Sequence, residues 1–198
     1  MQPITTSRDA PGGASHQRNR KQTTSADTLA ETAKVVEDKI EKAALLLWDQ
    51  LPTWRRDNQY LITGYRADSN SYRSSFASVL AIHNESVNIW THVLGSAAFL
   101  AGGIWLYKVV APRYATANSS DIIVLSCFFV GAVLCLGMSG TYHTIMNHSP
   151  DVAKWGNKLD YSGIVLLIVG SYVPALYYGL FCDSALMTFY LGAVRLLL

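Results

Sequence analysis

Three runs of about twenty predominantly apolar residues, 87–110, 122–142 and 161–181, occupy most of the second half of this 198-residue sequence. Each is long enough to cross about 30 Å of hydrocarbon as a helix, and a backbone in that medium must satisfy its own hydrogen bonds. The expected fold is therefore all-α, a multi-span transmembrane helix bundle. A fourth apolar run, 185–198, is too short to span and contains Arg195. It reads as the start of a further span, and the chain is expected to be truncated at its C-terminal end.

Charge is distributed unevenly. Residues 1–86 carry 11 of the 16 Lys and Arg residues, and the net charge is only +2. That balance gives no field for nucleic acid, and no nucleic-acid partner is expected. Residues 1–27 are rich in Ser, Thr and Gly and read as a disordered polar tail. They contain no apolar core of the signal-peptide kind, so the first span is expected to direct insertion.

Residues 28–86 read as a cytosolic amphipathic helix followed by a juxtamembrane segment, and 87–198 as the membrane domain. "TLAE" at 28–31 fits a capping box, and Val36, Ile40, Ala43, Leu47 and Leu51 recur at helical steps up to Pro52. Lys and Arg counts tie between the two inter-span loops, which leaves the basic N-terminal side to decide the orientation. A cytosolic N-terminus is expected, with the 143–160 loop on the same side. The compartment is left as plasma membrane or endomembrane.

Cys127, Cys135 and Cys182 lie in apolar surroundings at no metal-ligand spacing, so no disulfide framework is expected. Three Asn-x-Ser tripeptides, at Asn84, Asn118 and Asn147, would report the topology, with only Asn118 luminal.

The residues that could carry chemistry cluster at one membrane edge. Ser139 and His143 are four apart and share a helix face, while Asp160 is expected to open the third span on the same side. Ionisable groups at membrane depth face protein, water or a metal. His143 offers a metal-ligand nitrogen, Asp160 could hold a metal-bound water, and Ser139 could support that water or a substrate carbonyl. Equally, Asp160 could simply favour a helix N-terminal dipole. His92, within the first span, suits an interhelical hydrogen bond, and His83 and His148 suit interfacial roles. A Ser-His-Asp triad lacks any nucleophile elbow in this sequence.

Four blocks, "LPTWRRDNQYLITGYR" (51–66), "IHNESVNIWTHVLG" (82–95), "GAVLCLGMSGTYHT" (131–144) and "KLDYSGIVLLIVGSYVPALYYGLFC" (158–182), resemble the progestin and adipoQ receptor family. The likeness is strongest to its adiponectin-receptor-like members, fungal haemolysin-III-type proteins included. It implies a seven-helix fold with a cytosolic N-terminus and a zinc site near the cytosolic face. By that resemblance His143 is a zinc ligand, Asp160 acts on zinc through a water, and Ser139 supports the water or substrate. It implies ceramidase-like hydrolysis of a membrane lipid amide, linked to receptor signalling and lipid metabolism. A protein or sterol ligand and association between copies are compatible with it.

The family's C-terminal His-x-x-x-His is absent from this sequence. Whether this chain is itself an enzyme therefore stays open. The alternatives are a non-enzymatic membrane receptor, a regulator of zinc or sterol homeostasis, and an inactive fragment.

Overall fold

The computed structural model describes residues 31, 32, 34, 45–113 and 118–195. The chain divides into two units, 1–41 and 42–198. In the first, the described residues Glu31, Thr32 and Lys34 are helical and exposed. Most of the expected amphipathic helix, and the whole expected disordered tail, lie outside the described residues.

Where that helix was expected to run on to Pro52, the second unit differs. Leu46 pairs with Tyr65 in an isolated antiparallel bridge, and only Trp48–Gln50 turns, as a short 3-10 helix. The physical reason is a competing partner. The backbone N–H groups of Leu46 and Trp48 bond the carbonyls of Tyr65 and Ile62, so they are spent on a chain folding back rather than on a helix. Gly64, immediately before the bridge residue Tyr65, takes φ +90°, a conformation that costs a residue without a Cβ little.

Beyond a second 3-10 turn at Thr53–Arg55, the juxtamembrane segment forms helix α1, Tyr72–Ala77, whose N-cap Ser71 accepts from the Ser74 N–H. Three long helices follow: α2 Ser86–Trp105, α3 Ser119–Ile145 and α4 Pro150–Gly179. A shorter apolar helix, α5, covers Ser184–Arg195. All three long helices are long and apolar enough to cross a membrane. The 27 residues of α3 reach about 40 Å, more than the hydrocarbon thickness. Exposed Ile123, Val130 and Ile168 on the outer faces suit lipid rather than water.

The third span begins well before the expected residue 161. Ser149 at the N-cap, Pro150 at the first helical position and Asp151 in the first turn start α4 there. The expected 143–160 loop shrinks to 146–149, and Lys154, Lys158 and Asp160 lie on the helix itself. Hydropathy registers where a helix becomes apolar, whereas helix initiation depends on caps.

Small residues draw α3 and α4 together. A Cβ on Gly170 would stand 2.5 Å from the Cys127 carbonyl oxygen, and one on Gly163 would stand 2.9 Å from the Cys135 Cα. The backbones therefore touch directly, the mode of packing that helices in lipid favour. Helix α2 joins α3 through the Ser96 hydroxyl, which donates to the Val133 carbonyl at 3.0 Å. At the far end of the bundle Tyr178 donates to Asp121 at 2.9 Å, which sets α4 antiparallel to α3.

Candidate functional site

The juxtamembrane segment closes the end of the bundle as a collar built on buried polar groups. Arg66, almost fully buried, donates to the carbonyls of His143 at 2.6 Å and Thr144 at 3.0 Å, and to the Ser78 hydroxyl at 2.8 Å. These are last-turn carbonyls of α3, which have no partner in their own helix and carry the negative end of its dipole. Burial draws the Arg66 pKa down to about 10, with Glu85 opposing the shift and Arg55 adding to it, and the group stays charged at neutral pH. Arg55 in turn donates to the Arg66 carbonyl at 2.6 Å and pairs with Asp68 at 2.8 Å.

Asn147, in the α3–α4 turn, completes the collar. Its side chain accepts from Ser75 and donates to the Ala67 carbonyl, while the backbone N–H of Ser69 reaches its own carbonyl. A buried amide held in this way is structural, and its tripeptide is no accessible sugar acceptor in the folded chain.

The expected site residues separate into two pairs. Ser139, buried in α3, lies 2.8 Å from His92 Nδ1 on α2, the interhelical hydrogen bond expected of His92. Gly140, where a Cβ would meet Val93 at 3.1 Å, lets the two helices approach that closely. His143, one turn further on, stands edge-on to His92 with ring centroids 5.9 Å apart. His143 and Asp160 line one polar cavity of about 530 Å³, together with Asp57, Glu85, Asn88 and Asn157; Ser139 does not line it. Asp160 lies in the body of α4, about three turns from its start, so it does not serve the N-terminal dipole.

Glu85 is the participant that sequence reasoning passed over. Its Oε2 lies 2.8 Å from His143 Nδ1, although the ring N–H is not aimed squarely at it. Asn84 donates to Oε1 at 2.6 Å and Asn88 to Oε2 at 2.8 Å. Burial works to raise the Glu85 pKa. The contacts with His143 and Asn88 and the charges of His143 and Arg66 outweigh that and hold the carboxyl below its ordinary range. The only sequence signal was a carboxylate immediately before a long apolar run.

His83 and His148 are built into the collar. His83 Nδ1 accepts from the Glu85 backbone N–H at 3.1 Å, which requires a neutral ring, and its Nε2 faces the Ser78 side of the collar without closing a hydrogen bond. Burial and the Arg66 charge draw its pKa down to about 4, against a smaller opposing pull from Glu85. His148 stacks on Tyr72 with centroids 4.3 Å apart.

Among the described residues no three His, Cys, Asp or Glu side chains converge as a metal-ligand group. His143 is the one imidazole of the cavity, its Nδ1 lies against Glu85, and the carboxylates of Asp57, Glu85 and Asp160 do not converge with it as the set that zinc takes. The residues present therefore do not fit a zinc site by themselves. A larger, mainly apolar cavity of about 1140 Å³ lies at the opposite end of the helices, among Phe99, Phe129, Tyr178 and Phe181. Its few polar lining groups, Lys108, Asp121 and Ser126 among them, lie away from the collar cavity that holds His143 and Asp160.

A family model described as Haemolysin-III related matches residues 80–198. Among known proteins, the Adiponectin receptor protein of Drosophila melanogaster is 40% identical over 87% of this chain and 38% of its own length. The ADIPOR-like receptor IZH2 of Saccharomyces cerevisiae is 39% identical over 83% of this chain and 54% of its own. For the Progestin and adipoQ receptor-like protein 1 of Caenorhabditis elegans the values are 37%, 86% and 39%. The chain thus spans between 38% and 54% of the lengths of these relatives.

Proposed function

The chain belongs to the haemolysin-III-related family of membrane proteins, and on that premise we propose that it supplies the cytosolic-side part of a lipid amide hydrolase site of the ceramidase kind. The observation that carries this reading is the meeting of Glu85, His143 and Asp160 in one polar cavity at the end of three spanning helices. A carboxylate beside an imidazole can take a proton from an attacking water and return it to a leaving amine. A lipid can bring its head to such a cavity while its chains stay in the bilayer. The reading takes the N-terminus as cytosolic, from the basic residues that precede the first span, and links turnover to receptor signalling because the relatives are named receptors. Zinc belongs to it only with ligands from outside the described residues.

The test is to read the transcript past the codon for Leu198 and to assay ceramide hydrolysis by the protein it encodes. Hydrolysis is expected, with His143→Ala and Asp160→Ala each losing about a hundredfold or more and Ser139→Ala losing less. Turnover indifferent to both His143→Ala and Asp160→Ala would refute the assignment. A non-enzymatic receptor is the second reading, favoured by the relatives' names and by the lack of a three-ligand group among the described residues. Ligand binding without turnover would select it. The ligand would be a protein or sterol, and a homo-oligomer is compatible with either reading.

A further inference from the structure

The rim of the collar is built inside out for a surface that meets water. Along residues 75–83 the side chains of Ser75, Ser78 and His83 are bound to partners within the collar, whereas Phe76, Leu80 and Ile82 are exposed, the last two at 85% and 88%. A segment bathed in water sorts such residues the other way, and neighbouring exposed apolar side chains mark a surface that meets lipid or protein.

We infer that this rim is a lipid-contacting surface, seated where headgroups meet acyl chains in the leaflet on the collar side. The inference is independent of the hydrolase reading, since it needs only that α2 crosses a membrane.

Depth singles out lipid as the partner. The Trp90 indole donates to the Val79 carbonyl at 3.3 Å, and the Ser86 hydroxyl accepts from the His83 N–H at 2.9 Å and donates to the Ala81 carbonyl at 3.2 Å. Residues 79–83 therefore lie beside the first turns of α2, with Val79 against Trp90, about 6 Å along the helix from its start at Ser86. Val87 and Trp90 are themselves exposed, so the rim continues the outer apolar surface of a spanning helix. Tryptophan is enriched at that boundary between water and membrane.

Charge agrees with depth. Arg73 lies three residues before Phe76 on α1, exposed and, among the described residues, without an ion pair. Its long stem lets the guanidinium reach lipid phosphates while Phe76 enters the acyl region, which matches an anionic leaflet. A rim held at that depth also holds the polar cavity at headgroup level, because Glu85 and Asn88 line that cavity from the same turns of α2.

The experiment places single nitroxide labels on the 198-residue chain, with Cys127, Cys135 and Cys182 changed to Ala, in vesicles of phosphatidylcholine and phosphatidylglycerol. Leu80→Cys and Ile82→Cys read the rim. Val130→Cys, exposed on a span, is the lipid reference, and Asp151→Cys, in the first turn of α4, is the water reference. Power-saturation EPR compares collisions with oxygen, which concentrates among acyl chains, and with a water-soluble nickel chelate. The oxygen-to-nickel ratio at 80 and 82 is expected to exceed that at 151 by about threefold or more, toward the value at 130. Arg73→Glu, which sets like charge against the anionic lipid, should lower the ratio at 80 by about half.

A ratio at 80 and 82 equal to that at 151 would put the rim in water, and labels shielded from oxygen and nickel alike would put protein over it. Either result overturns the inference. An unchanged ratio in Arg73→Glu overturns the phosphate contact. Circular dichroism checks that each variant keeps its helices, and Ile82→Cys serves if Leu80→Cys does not fold.

Discussion

At the scale of single residues, the collar depends on buried polar groups whose partners are backbone atoms. Arg66→Ala would strip the last-turn carbonyls of His143 and Thr144 of their donors. Thermal unfolding in micelles is expected to show a loss of about 2–4 kcal/mol, and Arg66→Lys should recover only part, because an ammonium lacks the planar fork. His83 gives a pH signature. Its folded pKa of about 4 lies below the ordinary histidine value of 6.5, so the unfolded chain takes the proton first as pH falls. The stabilisation is complete above about pH 6.5 and declines as pH drops toward 4. Between pH 7 and 5 the loss should be about 1 kcal/mol after discounting for solvent screening, and His83→Asn should flatten that slope. Neither role was legible beforehand. The acceptors of Arg66 lie 77 and 78 residues away in the sequence and are carbonyls, which every residue has. His143 and Asp160 were expected at one membrane edge and both line one cavity, although Asp160 does not open its helix, whereas Ser139 is turned to His92.

At the scale of elements, hydropathy located three spans, and among the described residues three helices are long and apolar enough to cross a membrane. Hydropathy placed the start of α4 late because Lys154, Lys158 and Asp160 dilute its first turns, although the Ser149-Pro150 start signal was in plain view. The α3–α4 contact is set by absent side chains, which hydropathy does not register. Gly170→Leu should force the backbones apart at Cys127, lowering stability by about 1–3 kcal/mol in a detergent-titration unfolding experiment. Gly192, whose Cβ would meet nothing within 4 Å, provides the control, and Gly192→Leu should change stability little. The helical pattern expected up to Pro52 failed at Leu46 because the segment around Tyr65, not visible in any local window, claimed its backbone.

For the whole molecule, the antiparallel run of α3 and α4 puts the collar at one end of the bundle and Cys182 at the other. With a cytosolic N-terminus, exposed Cys182 faces outward or into the lumen. An impermeant maleimide should label it in intact cells, if the protein reaches the surface, or after opening sealed vesicles if it stays internal. Arg73→Cys in a Cys182→Ser background should show the opposite dependence, Arg73 being exposed on α1. The reverse pattern would invert the topology and carry the polar cavity to the other side of the membrane.

The collar also has a consequence in time. Arg66 is synthesised 78 residues ahead of Thr144, the more distant of its two α3 acceptors. At about 5–20 residues per second, a ribosome needs about 4–16 s to deliver that partner. Throughout that interval the guanidinium lacks its α3 acceptors, Ser78 being the one partner made early, and the collar cannot close until α3 has crossed the bilayer and the four-residue turn behind it has emerged. Closure of the juxtamembrane segment therefore marks the completed insertion of the second span, and an external protease applied to stalled chains would find residues 45–85 open before that point and guarded after it.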